Sequence, residues 1–124
     1  MQIKYKRIIE RKDMKEVSKC EEQTMIAVWK CKEPPDLQKV LSKVNALFDH
    51  QWKPQTVSTF LSRLKNKGYL TTKKEGRYCY YYPTITLEQY RKEKMKGLMQ
   101  VFYNGETVLA MEDLKHMGGN LNSG

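Results

Sequence analysis

A mostly α fold with one small β-hairpin is what this sequence predicts: helices that close on a hairpin, followed by a short helical segment. Three observations carry that reading. Apolar residues recur every three or four positions in several stretches, which is the period of an amphipathic helix. Residues 69–83 are instead rich in β-formers and are split by Glu75-Gly76. The charge is uneven: residues 1–83 hold 18 Lys+Arg against 9 Asp+Glu, whereas residues 84–124 hold 5 of each. A basic module joined to a neutral one is the pattern of a phosphate-binding domain with a separate association element.

Residues 1–15 read as a basic N-terminal extension with weak periodicity: Ile3, Ile8 and Ile9 could start a helix, but a mobile, frayed arm is the stronger expectation. A first domain is expected over residues 16–83. Ser18-Lys19-Cys20-Glu21 has capping-box form, and Cys20, Thr24, Met25, Val28 and Trp29 follow at helical spacing. Pro34-Pro35 ends that helix. Pro35 suits the first turn of the next helix, with Asp36 favouring its positive end. Leu37, Val40, Leu41, Val44 and Phe48 then form an apolar stripe. Residues 49–53 break the pattern, and Pro54 opens a third helix with the apolar face Val57, Phe60, Leu61 and Leu64. Gly68 supplies the left-handed stop.

The opposite face of that third helix carries Gln55, Thr56, Ser58, Thr59, Ser62 and Arg63. Hydroxyls, an amide and a guanidinium are the groups that read base edges in a major groove. No acidic residue occurs from Lys53 to Lys74, so nothing there repels phosphate. A merely solvated helix would carry more Glu and Lys. The hairpin that follows places Lys73, Lys74 and Arg77 around its turn. Tyr80, Tyr81 and Tyr82 invite a base-stacking role, but aromatic residues commonly fill strands, and packing on the helices is the stronger expectation. Three helices and a basic-tipped hairpin make a winged helix-turn-helix: the third helix enters the groove and the hairpin touches the flanking backbone.

Residues 84–124 read as a helical dimerisation segment with a loose tail. Thr86-Leu87-Glu88-Gln89 is another capping-box start, and Tyr90, Met95, Leu98, Met99 and Phe102 follow as a stripe. Asn104-Gly105 stops that helix. Thr107 is placed to cap a last one bearing Val108, Leu109, Met111 and Leu114, which ends at Gly118-Gly119. Two short amphipathic helices cannot build their own core. They must dock on the first domain or on a second copy. Neutral charge and Met95, Met99, Met111 and Met117 favour the second copy, with Leu98, Phe102, Val108, Leu109 and Leu114 as the dimerisation residues.

Val17-Ser18 through Met25-x-x-Val28-Trp29, then Trp52-Lys53-Pro54-Gln55-Thr56-Val57-Ser58-Thr59-Phe60-Leu61-Ser62-Arg63-Leu64-Lys65-Asn66-Lys67-Gly68-Tyr69-Leu70, then Arg77-x-x-x-Tyr81-Tyr82-Pro83, resemble the BlaI/MecI/CopY family of penicillinase-type repressors. The match runs over about residues 17–115 and is weaker after residue 90. The resemblance implies a homodimeric repressor on a palindromic DNA operator, with Gln55, Thr56, Ser58, Thr59 and Arg63 on its recognition helix. In β-lactam-responsive members it implies a sensor or protease as a further partner, and in copper-responsive members C-terminal cysteine pairs bind metal. Here no cysteine lies beyond Cys79, and no Asn-Phe bond lies near residues 100–110, where the cleaved members carry theirs. Lys53 stands where the family often has a capping Ser or Thr, and Ser58 where a longer side chain is common.

Other classes fare worse. No glycine-rich phosphate loop, clustered Ser/His/Asp or paired acidic motif points to an enzyme. Cys20, Cys31 and Cys79 are widely spaced and odd in number, and His50 and His116 have no ligand cluster beside them, so neither a disulfide framework nor a metal or other cofactor is expected. Partly buried thiols and solvated imidazoles are the plainer reading. No apolar run approaches the ~20 residues of a membrane span, and no signal peptide is legible, so the expected location is cytoplasmic. A winged-helix protein–protein adaptor without direct DNA contact is the main alternative, and such a contact face should show more exposed aromatics.

Overall fold

The computed structural model describes residues 14–118. The expected extension lies outside the described residues as far as residue 13, and the expected tail lies outside them from residue 119. The elements in order are α1 (Lys19–Lys30), α2 (Leu37–Phe48), α3 (Pro54–Asn66), β1 (Leu70–Glu75), β2 (Tyr78–Pro83), α4 (Leu87–Tyr103) and α5 (Thr107–His116). They form two compact units, divided between Leu87 and Glu88.

In the first unit each helix starts where a side chain or proline settles its free amides. Ser18 Oγ accepts from the Glu21 amide at 3.1 Å, and Glu21 Oε1 accepts from the Ser18 amide at 2.9 Å, a complete capping box. The start of α2 differs from expectation. Pro35 lies before the helix, and Asp36 is itself the N-cap, its Oδ1 accepting from the Lys39 amide at 3.0 Å. Pro35 is buried, and its carbonyl accepts from the Tyr81 amide at 2.9 Å, so the α1–α2 connection runs along the free edge of β2. The α3 helix has Pro54 in its first turn and no side-chain cap from Lys53. It stops before Gly68, whose φ of 91° belongs to the left-handed region.

The hairpin is antiparallel with Leu70 opposite Pro83, Thr72 opposite Tyr81 and Glu75 opposite Tyr78. That register leaves Gly76 and Arg77 as a two-residue turn, with Gly76 at φ 65°. The core lies between the three helices and the base of the hairpin. Met25, Ala27 and Val28 of α1, Val40 and Val44 of α2, and Val57, Leu61 and Leu64 of α3 meet Tyr69, Leu70 and Ile85 there, all buried. Full burial of each larger aliphatic side chain is worth about 1.5–3 kcal/mol. Beyond the expected boundary at residue 83, Thr84 Oγ1 donates to the Gly68 carbonyl and Trp29 Nε1 donates to the Ile85 carbonyl at 3.0 Å. Residues 84–87 therefore belong with the hairpin rather than with the segment that follows.

The second unit is two helices joined by a tight turn, with Asn104 at φ 51° and Gly105 at φ 80°. The N-cap of α5 is Glu106, without a side-chain hydrogen bond, and not Thr107, which is the first helical residue. Tyr103 Oη donates to Asp113 Oδ2 at 2.8 Å and so ties the two helices together. Among the described residues of this unit only Tyr90 is buried, and α5 buries nothing.

Candidate nucleic-acid interface

The connection between α2 and α3 is built tightly. Asp49 ends α2 in the left-handed conformation at φ 57°. Asn45 then clamps the backbone of Trp52 from both sides: its Oδ1 accepts from the Trp52 amide at 3.0 Å, and its Nδ2 donates to the Trp52 carbonyl at 3.1 Å. The Trp52 ring stacks on His50, centroids 4.2 Å apart, and meets Phe60 of α3 at 5.2 Å. His50 Nε2 lies 2.7 Å from Gln23 Oε1 of α1. His50 is thus a half-buried structural group rather than the solvated imidazole expected. A short amide and three rings fix the angle at which α3 leaves the turn.

The far end of α3 is held by an ion pair. Lys67 Nζ lies 2.6 Å from Glu21 Oε1 and also donates to the Glu16 carbonyl at 2.8 Å. Glu21 is buried, 3% exposed. Burial by itself would raise its pKa. The Lys67 hydrogen bond, the Ser18 amide and the charges of Lys67 and Arg63 outweigh that and hold the carboxyl below its ordinary value. Sequence reasoning assigned Glu21 to the capping box alone. Its second role needs a partner 46 residues away, which no local pattern announces.

With both ends pinned, 3.6 residues per turn sort the α3 side chains into faces. Val57, Leu61 and Leu64 point inward. Gln55, Ser62 and Arg63 are exposed, and Thr56, Ser58 and Thr59 are half-buried. Gln55, Thr59 and Ser62 lie at the centre of the outer face, Ser58 on one flank, Thr56 and Arg63 on the other. Asn66, exposed and four residues after Ser62, falls on the same face and was not singled out from the sequence, although its spacing was there to read. Thr59 Oγ1 donates to the Gln55 carbonyl at 3.0 Å, which leaves its methyl and an acceptor lone pair outward. Arg63 lies near enough to Glu21 to lower its pKa, so it sits on the side of α3 towards α1.

The hairpin carries Lys73, Lys74 and Arg77 exposed around its tip. Alternation along the strand puts Lys73 and Lys74 on opposite faces of the ribbon, across from Tyr80 and Cys79 respectively. Lys73 Nζ is 3.9 Å from Glu75 Oε2, an exposed pair of little energetic weight. Lys65 of α3 donates to Thr72 Oγ1 of β1 at 3.0 Å and connects the outer helix with the hairpin. Tyr80, Tyr81 and Tyr82 are all half-buried, so the strand does not alternate cleanly. Tyr81 lies on the face of Leu70 and Thr72, where burial raises its pKa, and Tyr80 and Tyr82 lie beside Pro34 and Pro35. The more exposed aromatic of this strand is Tyr78, half of its surface open to solvent. Cys20, Cys31 and Cys79 are free thiols, and no metal-binding cluster occurs among the described residues. No helix there is long and apolar enough to cross a membrane.

Residues 17–116 match the profile of the penicillinase repressor family. The penicillinase repressor of Bacillus licheniformis is 34% identical over 96 residues, which are 76% of this chain and 71% of that protein. The methicillin resistance regulatory protein MecI of Staphylococcus aureus is 24% identical over 90 residues, 73% of this chain and 71% of its own length. Two solution structures of the BlaI repressor are similar at 31% identity, each covering 62% of this chain and 90% of its own. One is its DNA-binding domain, TM-score 0.52, and the other is the monomeric form of the B. licheniformis protein bound to the blaP half-operator, TM-score 0.50.

Proposed function

Given that the chain belongs to the penicillinase repressor family and is a DNA-binding transcriptional repressor, not an enzyme, we propose that α3 reads the base edges of its operator while the hairpin neutralises flanking phosphates. The observation that carries this is the outer face of α3: Gln55, Thr56, Ser58, Thr59, Ser62 and Arg63 on a helix pinned at both ends, in a stretch without an acid from Lys53 to Lys74. Gln55, Ser62 and Arg63 offer free donors, and Thr59 offers a methyl to thymine. Lys73, Lys74 and Arg77 sit around the tip of the hairpin rather than on the helix that enters the groove, and there they suit backbone phosphate. A relative bound as a monomer to a half-operator supports a single winged unit as the reading module.

The reading extends to a homodimer on a palindromic site. The second unit leaves Leu98, Phe102, Val108, Leu109 and Leu114 exposed together with Met95, Val101, Met111 and Met117. This segment carries no net charge, so two copies can approach there more readily than two basic winged units. A two-fold axis through this segment would set two recognition helices about one DNA turn apart, ~34–36 Å, or a multiple of it. For a sensor or protease partner we assign no site, because residues 100–110 carry the turn Asn104-Gly105 and no Asn-Phe bond.

The test is a fluorescence-anisotropy titration of operator duplex against salt. With ~6–10 phosphate contacts per dimer, log affinity should fall with log salt at a slope near −0.9 per contact. A slope near zero would overturn the division of labour between α3 and the hairpin, as would equal affinity for operator and scrambled duplex.

A further inference from the structure

A cleft in the first unit lies apart from the α3 face. It has a volume of about 500 Å³, within the range of small-molecule sites, and is walled by residues 31–36, the first turns of α2 and Tyr80 of β2. No residue of α3 lines it. Lys32, Lys39 and Lys43 converge on it, and among the described residues none of the three is in an ion pair. Lys39 and Lys43 are four residues apart on α2, so their like charges face the same side and repel each other. Two acids also line the cleft. One oxygen of Asp36 is committed to the Lys39 amide as the helix cap, and Glu33 is exposed at the rim. Pro34, Pro35 and the Tyr80 ring supply the apolar part of the lining.

We propose that this cleft binds a small anionic aromatic molecule, its ring against Tyr80 and the two prolines and its carboxylate or phosphate among Lys32, Lys39 and Lys43. An anion there relieves the repulsion between Lys39 and Lys43. The flat wall gives the ring a surface of stacking and van der Waals contact that a bare inorganic anion cannot use. A DNA duplex is the wrong shape for the site, since a rod with phosphates on its outside cannot enter a concave cleft of this size. The lysines act on the cleft wall itself: burial raises the Cys31 thiol pKa, and Lys43 and Lys39 pull it back.

The experiment is a heteronuclear NMR titration of the full chain with phenyl phosphate, inorganic phosphate and benzyl alcohol in turn. Phenyl phosphate should give saturable shifts confined to residues 31–33, 36, 39, 43 and 80. Inorganic phosphate and benzyl alcohol should each bind at least ten-fold more weakly. The surface double variant K39Q/K43Q should lose at least ten-fold in phenyl phosphate affinity with an unchanged melting temperature. Equal response to inorganic phosphate, or shifts spread evenly over Lys73, Lys74 and Arg77, would overturn the proposal. It would also fall if K39Q/K43Q left the titration unchanged and lowered the salt slope of operator binding, for the lysines would then be backbone contacts. The wild-type titration decides the matter by itself if the variant fails to fold.

Discussion

The two units of this chain differ in how far each satisfies itself. Of the twelve buried hydrophobic residues described, eleven lie in the winged unit, and Tyr90 alone lies beyond it. Of the eleven large hydrophobics left exposed, nine lie in the second unit. The winged unit holds its polar groups in pairs such as Glu21–Lys67 and Asn45–Trp52 and turns a basic surface outward. The second unit turns apolar side chains outward on two helices that bury almost nothing between them. One region closes its core within a single chain, and the other leaves an apolar face exposed. The proposed dimer contact rests on the exposed apolar stripe of a neutral helix pair, and the proposed phosphate contact on exposed lysines over a closed core.

The comparison breaks most visibly if the apolar stripe is made charged. Leu98→Glu with Phe102→Glu should give a monomer by light scattering and lower the affinity for a palindromic operator by about 10²–10⁴-fold, the usual worth of a second linked site. Half-site affinity and the melting of the winged unit should not move. A chain ending after Leu87 should behave likewise, since Ile85 and its contact with Trp29 are kept. Full palindrome affinity in a monomeric variant would erase the distinction between the units.

The opposite perturbation acts inside the winged unit. Removing the charge of Glu21 by Glu21→Gln leaves the half-buried Lys67 without its counter-ion and should cost about 1–3 kcal/mol, less than a fully buried pair because Lys67 keeps access to water and to the Glu16 carbonyl. Thermal melting of the truncated winged unit measures it, and dimer mass should be unaffected. The pH dependence has a definite sign. The Glu21 carboxyl is held below its ordinary value of 4.5. Its contribution is therefore complete above that value and is lost as pH falls through the lower, folded-state one. The wild type should lose stability on acidification more steeply than Glu21→Gln, and parallel curves would remove the ion pair from the account.

Within the DNA-facing surface the effects are smaller and sharpen the division between helix and hairpin. Arg63→Ala should cost about 1–3 kcal/mol on the proper operator and relax preference at one or two base positions. If Arg63 serves Glu21 instead, the loss will appear in the melting temperature with sequence preference intact. Lys74→Ala should weaken all duplexes about equally and reduce the salt slope by ~1. A changed sequence preference from Lys74→Ala, with none from Arg63→Ala, would exchange the roles of α3 and the hairpin.

Much of this was legible locally. The capping box at Ser18, Pro54 at the start of α3, Gly68 at its end and the two-residue hairpin turn depend on neighbours a few positions apart, where residue type constrains backbone angle directly. The outer face of α3 follows from the 3.6-residue period once the helix is recognised, and the unfinished face of α4 and α5 follows from the same period. Two helix starts were misplaced. The start of α2 moved past Pro35, because that residue is buried and its carbonyl pairs with the edge of β2, and α5 takes Glu106 rather than Thr107 as its cap.

By itself the sequence determined the order and type of the elements, the basic character of the first unit and the face of α3 that is free to meet a partner, because periodicity, caps and charge act over one or two turns of chain. Only the tertiary structure decided what holds that face in place. Glu21 and Lys67, Asn45 and Trp52, and Pro35 and Tyr81 find one another across 46, 7 and 46 positions. Each of these contacts rests on burial and distance, which a residue acquires only when the helices have packed.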